Sequence, residues 1–540
     1  MVQKHKKKLL GSVYKNAVEL VLIGGLTGLF VGIVVTLYTL LTHEGEVFSR
    51  GVYAYVRENP AFIPLLFLAL ILGAFLLGVA SKVTSAIRGV GIPQAEGATR
   101  GVIKFRWWKD ATAMFAASLL SVFMGLSIGS EGPSVFIGAS LGDGVASLTK
   151  RNQMIRRYQI TGGACAGLAV AANAPLTGIV FAFEEAHKRF TPEVFICAFS
   201  SVVFALLSRT AVCSLLGADH SLSSSFHSYL YSELPLADYW IVLVSAIVCS
   251  IVGLVFYKLS FKIRKLFKKI RFENRYWRYT TRFVIVAVLG GALGLLTANV
   301  MGGGHDLIEQ IGTFGGTREI QTEAVFGLSV GWSLFIVLIL KLFVTSVNVG
   351  SGIPCGIFIP IIAMGACIGG LLNQLWISTG VMDKAHADLL VMICMATFFT
   401  VIVRAPLTGI IMTIEFTWSF ASLLPVVIGV SIGYIIGDMT RTEGIYEDLL
   451  AAYERETGVF EHAEKEVFKV TVQEGCIGEK RDVRDILWPC DARVTELVRG
   501  HEIILPDADT TLKAGDVLTV VCRTDSPEKI EDDLQHIFGE

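Results

Sequence analysis

The sequence predicts an all-α polytopic membrane protein, internally repeated and built with interrupted helices, followed by a small α+β domain. Three observations predict it. Of the 540 residues, 53% are hydrophobic and only 17% charged, against about 25% charged for an ordinary soluble domain. Charge-free runs long enough to cross a ~30 Å hydrocarbon layer recur along the chain. The string Ala-Pro-Leu-Thr-Gly-Ile occurs twice, at 174–179 and 405–410.

The charge-free runs, in order, are Leu20 to Thr42, Ala61 to Ser81, Ala111 to Ser130, Tyr158 to Phe183, Tyr239 to Tyr257, Phe283 to Gly304 and Phe416 to Gly437. A longer run, Leu342 to Met382, has room for two segments. The first exceeds the usual length of a signal-peptide apolar core and is followed by no small-x-small cleavage pattern, so it is expected to be a retained span. Residues 1–16 carry five Lys or Arg and no acid, and residues 258–282 carry ten with the single acid Glu273. Both are expected to face the cytoplasm. The segment 214–238 has no Lys or Arg, and 301–325 sets Arg318 against Asp306, Glu309, Glu319 and Glu323, so these read as external. The ten cysteines show neither C-x-x-C nor a Cys/His metal spacing, which leaves no disulfide framework and no metal site indicated.

The membrane part is expected to run over residues 1–450 and the soluble domain over 466–540. Charged residues return from Thr440 onward. The tail alternates as a strand at 468–473, looks helical at 481–488, continues as strands in ARVTELV, EIIL and DVLTVVCR, and ends in the amphipathic helix SPEKIEDDLQHIF.

Each copy of the repeat is followed by acid, Glu184 and Glu185 in the first and Glu415 in the second. Duplication with Gly/Pro-interrupted apolar segments points to an inverted-repeat transporter whose site lies where broken helices meet. Between Asp110 and Asp143 the only charged residue is Glu131, inside Gly-Ser-Glu-Gly-Pro. A lone carboxylate at membrane depth costs several kcal/mol unless compensated, and is by default a functional candidate. Pro133 suits the start of a helix, with Gly132 as a flexible turn, which would leave Glu131 at a positive helix terminus that also attracts free anions. The other reading of Glu131 is an interfacial helix cap. Two further breaks have the same form, Gly89-Val-Gly-Ile-Pro and Gly350-Ser-Gly-Ile-Pro-Cys-Gly-Ile-Phe-Ile-Pro. Each taken alone is either a packing kink or a place where bare amides meet an anion.

With GVGIPQAEG (89–97), GSEGP (129–133), AANAPLTGIVFAFEE (171–185), GIFIP (356–360) and Tyr446, the chain resembles the CLC family of chloride channels and proton/chloride exchangers over residues 15–450. The resemblance implies a CLC-like fold and a function exchanging chloride or similar small anions for protons. It places Glu131 at the gating and external proton glutamate, and the amides of Ile357 and Phe358 with the Tyr446 phenol around the central anion. Glu185 falls at the internal proton-transfer glutamate that exchangers keep and channels usually lack, its bland reading being a solvated helix-end acid. Two departures stand out. Val90 occupies an anion-binding position where relatives commonly carry serine, offering only its amide, and Ser130 stands where many carry arginine. The alternatives are a passive voltage- or pH-gated chloride channel and a fluoride/proton antiporter, against which Glu185 and Tyr446 argue.

The tail, 466–540, resembles the RCK-C (TrkA-C) domain, which implies regulation by a small-molecule ligand, the alternative being a folded tail without one. The resemblance further implies a homodimer in the plasma or inner membrane, multi-pass, with both termini cytoplasmic. No cofactor is expected beyond chloride as the bound substrate ion, and no nucleic-acid partner. No H-E-x-x-H, G-x-S-x-G or apolar Asp pair stands within the apolar segments, so no catalytic residue is assigned and the chain is not expected to be an enzyme.

Overall fold

The computed structural model describes residues 2–150, 153–188, 190–218, 234–312, 328–418, 420–457, 464–486, 488–489, 492–500, 502–524 and 527–539. Most of the segments read as external, 219–233 and 313–327, lie outside them.

Among the described residues, seventeen α-helices precede the first strand: α1 (Val2–Glu58), α2 (Ile63–Val83), α3 (Ile92–Thr99), α4 (Trp107–Phe123), α5 (Glu131–Leu148), α6 (Gln153–Ala172), α7 (Pro175–Phe181), α8 (Pro192–Leu216), α9 (Tyr239–Phe267), α10 (Arg275–Leu296), α11 (His305–Ile311), α12 (Val330–Ser351), α13 (Phe358–Ser378), α14 (Ala387–Val403), α15 (Pro406–Thr417), α16 (Leu423–Met439) and α17 (Ile445–Thr457). Eight segments among the described residues are long and apolar enough to cross a membrane. On α2, Leu65, Leu68, Leu72 and Leu76 are exposed at helical spacing, an outward apolar stripe that suits lipid rather than water. The apolar window of α14 is 94% buried, which puts that helix at the centre of the bundle.

Among the described helices of 17 residues or more, α5, α8 and α14 fall outside the charge-free runs, each for a visible reason. In α8 the run is cut by Arg209, which is buried and donates to Asn173 Oδ1. Asp388 stands in the first turn of the short α14. Besides Glu131, α5 contains Asp143, ion-paired with Arg156 of α6. The long run Leu342 to Met382 divides into α12 and α13, separated by Gly352–Ile357.

The duplicated string becomes two short helices, α7 and α15, that pack on each other. Proline stands at the start of each, where its missing N–H costs nothing. The acid that follows each copy caps the other copy. Glu184 accepts from the Leu407 and Thr408 amides at 2.8 and 2.6 Å, and Glu415 accepts from the Leu176 and Thr177 amides at 2.7 and 2.7 Å. A reciprocal pair of this kind is what a two-fold relation between inverted halves produces, and it satisfies amides that a helix leaves bare.

Four strands follow, β1 (Glu464–Thr471), β2 (Arg493–Arg499), β3 (Glu502–Ile504) and β4 (Val517–Thr524), ordered β1-β4-β2-β3 with all pairings antiparallel. The helix α18 (Pro527–Phe538) closes their core through Ile530, Leu534, Ile537 and Phe538. Among the described residues of 481–488, a 3-10 turn, Val483–Asp485, forms in place of the expected helix. Arg481 backbone atoms bond instead across to Leu512 at 2.9 Å, and the Trp488 indole donates to Val483 O at 2.7 Å.

Candidate functional site: three broken helices around a buried carboxylate

Three Gly/Pro breaks meet in the middle of the membrane part, and glycine is what lets them. A Cβ on Gly132 would lie 2.2 Å from Val90 O, and one on Gly356 would lie 2.4 Å from Gly129 O, contacts that real side chains do not make. The Gly129 amide donates to Gly356 O at 2.8 Å and the Cys355 amide to Gly89 O at 3.2 Å. The breaks at 89, 129 and 350 are therefore tied to each other by backbone. One sequence expectation changes here. Glu131 is itself the first residue of α5, and Gly132 lies inside the helix rather than in a turn. Its role is close approach to the Val90 carbonyl, since a helical residue needs no special conformational freedom.

Glu131 is fully buried. Its Oε1 lies 3.5 Å from His305 Nε2 and 3.4 Å from Ser130 Oγ, while its Oε2 meets no hydrogen-bond donor among the described residues. The position at a helix start, with the positive end of the dipole behind it, offsets the burial of a charge. His305, the first residue of α11, was not among the residues singled out from sequence. It follows Gly302-Gly-Gly, a string that by itself says only that a tight turn is present.

Phe358 opens α13 and Ile357 is its N-cap, so their amides belong to the turn that helix bonding leaves bare. Phe358 packs edge-on against Phe399 at 5.1 Å. Tyr446, in the first turn of α17, is buried, and its hydroxyl has no hydrogen-bond partner among the described residues. Val90 is buried and adds no hydroxyl. The Tyr446 hydroxyl and the first amides of α13 are neutral donors of the kind that an anion draws on at a helix start. No group of three or more His, Cys, Asp or Glu among the described residues could hold a metal ion.

Glu185 is buried. It stands in a single π-helical turn, Ala182–Ala186, the kind of local widening that often marks functional positions. The turn separates the two acids: Glu184 caps α15, and Glu185 points inward beside Glu96 of α3. Glu96 was also passed over in the sequence, where it read as part of GVGIPQAEG. Tyr446 lies within electrostatic reach of Glu131, Glu185 and Glu96. Below this group, Arg100 holds Glu447 with two bonds, 2.6 and 2.9 Å, and Lys188 pairs with the same carboxylate.

The soluble domain touches this end of the bundle. Arg157 donates to Trp488 O at 2.7 Å and to Arg100 O, and Arg481 pairs with Glu193.

The comparison with known proteins agrees with this geometry. The family model described as voltage gated chloride channel matches residues 72–438, and the TrkA-C domain model matches 467–535. The chain is 30% identical over 403 residues to the H(+)/Cl(-) exchange transporter ClcA of Yersinia pestis bv. Antiqua (strain Angola), covering 74% of this chain and 79% of that protein. Its likeness to the ClcA of Vibrio cholerae serotype O1 (strain M66-2) is 27% over 439 residues, covering 79% and 87%. Among solved structures, a slow cyanobacterial Cl-/H+ antiporter superposes with a TM-score of 0.71 at 21% identity over 81% of this chain and 99% of that one. A CLC-type fluoride/proton antiporter superposes with a TM-score of 0.60 at 20% identity, over 79% and 97%. With a match spanning most of its length and the broken-helix site in place, this multi-pass membrane protein belongs to the voltage gated chloride channel family, or CLC family, and carries a TrkA-C domain behind its membrane part.

Proposed function

We propose that this protein exchanges chloride for protons across the membrane. The observation that carries the reading is the fully buried Glu131 at the start of α5, where three bare backbone breaks converge. Ionised, the carboxylate competes with chloride for the same positive helix end. Protonated, it has no charge to hold it there, and an anion takes the place. Chloride is held between the amides of Ile357 and Phe358, the Tyr446 hydroxyl and the Val90 backbone. Protons reach Glu131 from one side directly and leave on the other through Glu185. Exchange of one species for the other follows from the competition, with no enzymatic step. The relatives named as exchange transporters support this reading over a passive channel, and so does a buried Glu185.

In this reading residues 1–450 form the transport unit and 466–540 a regulatory unit that takes a small-molecule ligand. The protein works as a homodimer, with both termini and the basic stretch 258–282 on the cytoplasmic side. The test is transport in liposomes: an imposed chloride gradient should drive protons uphill, and the reversal potential should move with the proton gradient. A reversal potential set by chloride alone would overturn the exchanger reading.

A further inference from the structure

The helix α9 runs on past the end of its apolar stretch, and its outward side changes character without changing direction. Leu243, Ile247, Ile251 and Val255 are exposed at intervals of one helical turn, the stripe expected of a lipid-facing helix. Further along, Lys258, Lys262 and Lys265 are exposed. At about 100° of rotation per residue, the three lysines fall within the arc that the four apolar side chains span, so they continue the same face. The charge-free run ends at Tyr257. At about 1.5 Å per residue, Lys258 to Lys265 covers roughly 10 Å of helix, and a headgroup layer extends roughly 5–8 Å beyond the hydrocarbon edge. The lysine row stands where lipid phosphates lie.

A general preference for cations on one side of a membrane accounts for the charge of this stretch but not for its arrangement. Arg264 and Lys268 turn the other way and share Glu456 of α17, at 3.3 and 3.2 Å. Lys258, Lys262 and Lys265 have no acid within ion-pair distance among the described residues. They line an open cleft of about 420 Å³ between α9 and α17. Among the described residues its one acid is Asp448, which already accepts from the Tyr257 hydroxyl. Glu443, also within electrostatic reach of Tyr257, stands outside the lining, and Arg455 adds a cation from α17. The Tyr257 and Phe261 rings, 4.9 Å apart, give the cleft an apolar wall.

Cations without acids at headgroup depth, continuing an apolar stripe, complement a molecule with an anionic head and apolar tails. A zwitterionic headgroup brings its own cation, which the row repels, whereas an anionic headgroup brings none. We propose that this face of α9 is a docking surface for an anionic phospholipid, with Lys258, Lys262 and Lys265 on the headgroup phosphate and the acyl chains along Ile251 and Val255. The occupant is a lipid rather than a free phosphate because the lysines extend a face that lipid already covers.

Native mass spectrometry of the full-length protein, released from micelles with equal phosphatidylglycerol and phosphatidylcholine, tests the proposal. Phosphatidylglycerol should stay bound and phosphatidylcholine should be lost. Lys258→Gln, Lys262→Gln and Lys265→Gln together should weaken phosphatidylglycerol binding about a hundredfold, each lysine contributing about fivefold. The corresponding three changes to Arg should keep the lipid. Lys469→Gln, Lys480→Gln and Lys513→Gln remove the same charge from the soluble domain and should leave binding unchanged. Equal retention of both lipids by the unaltered protein would overturn the proposal whether or not the Gln variant folds. Undiminished phosphatidylglycerol binding in a folded Gln variant would overturn it too, and displacement of the lipid by excess inorganic phosphate would assign the cleft to a free anion instead.

Discussion

In the proposed exchange Glu131 is the gate and Glu185 the inner proton carrier, and His305 stands beside Glu131. Glu131→Gln removes the titrating competitor and leaves the backbone donors in place, so chloride flux should persist, become nearly independent of pH and lose proton coupling. Parallel chloride and pH electrodes on one liposome sample check all three outcomes, and retained strict exchange would disprove the gate assignment. Glu185→Gln should keep the anion flux and abolish anion-driven proton pumping in the same assay. Normal pumping would return Glu185 to a structural acid. His305 Nε2, 3.5 Å from Glu131 Oε1, supplies a titratable nitrogen on the side where Ser130 replaces the arginine of many relatives. Facing that imidazole are Glu46 and Arg50 of α1 and Lys341 of α12, with Asp306 next to it on α11 and paired with Arg50. An imidazolium favours the ionised carboxylate, and histidine changes charge near pH ~6.5. His305→Phe should therefore move the pH dependence of chloride flux to higher pH, because the carboxylate takes up its proton without a neighbouring cation to oppose it. An unchanged profile would make His305 a packing residue.

At the scale of elements, the reciprocal caps and the broken helices decide stability and selectivity separately. Each of Glu184 and Glu415 holds two amides of the opposite half. Removing one carboxylate leaves two donors bare, at about 1–3 kcal/mol. Glu184→Ala and Glu415→Ala should each lower the unfolding temperature in detergent, Glu415→Ala by more, since Glu415 also accepts from the Thr177 hydroxyl at 2.6 Å. No effect from either substitution would contradict the capping role. Val90→Ser adds a directed hydroxyl beside the proposed anion site and should sharpen discrimination among chloride, bromide and nitrate, measured as reversal-potential shifts under mixed anions. The same permeability order in both proteins would take residue 90 out of the selectivity argument.

For the whole molecule, the question is how the soluble domain acts on transport. It touches the bundle through Arg157, which also donates to the Arg100 carbonyl, and through Arg481 on Glu193, and Arg100 holds Glu447 next to Tyr446. Deleting 466–540 should change the transport rate and leave ion preference intact, because the contact reaches the edge of the site and none of its proposed anion donors. Identical rates with and without the domain would make it a passive appendage. Within the domain, Asp516 accepts from Arg499 at 2.8 and 2.7 Å and from the Lys513 amide at 2.8 Å. Burial pushes its carboxyl up, but Arg499 and the Lys513 amide outweigh burial and hold it below the usual range. With the folded value lowered, the stabilisation is present above the ordinary Asp value of ~3.9 and is lost as pH falls through the folded one. Hydrogen exchange of the β4 amides in the full-length protein should accelerate below about pH 4, and Asp516→Asn should accelerate it at neutral pH too.

Composition, charge-free runs and the repeated Ala-Pro-Leu-Thr-Gly-Ile were enough to read an all-α membrane protein with interrupted helices and a soluble tail, because burial in lipid constrains every residue of a span. Glu131 and the Gly/Pro breaks could be singled out because a lone acid or a bare backbone is costly in apolar sequence, whereas Glu185, Val90, Ile357, Phe358 and Tyr446 received their roles from the family resemblance. Helices α5, α8 and α14 were not legible, since Glu131, Asp143, Arg209 and Asp388 interrupt or flank their apolar stretches and compensation comes from other elements, as when Asn173 receives Arg209 and Arg156 receives Asp143. The exchange of caps between halves, the meeting of His305 with Glu131 and the pairing of Glu96 with Glu185 were decided only by the tertiary structure. Each joins residues from separate helices, so local periodicity carries no trace of them; the helix-to-helix packing that glycine permits at 132 and 356 is what brings the backbone breaks together.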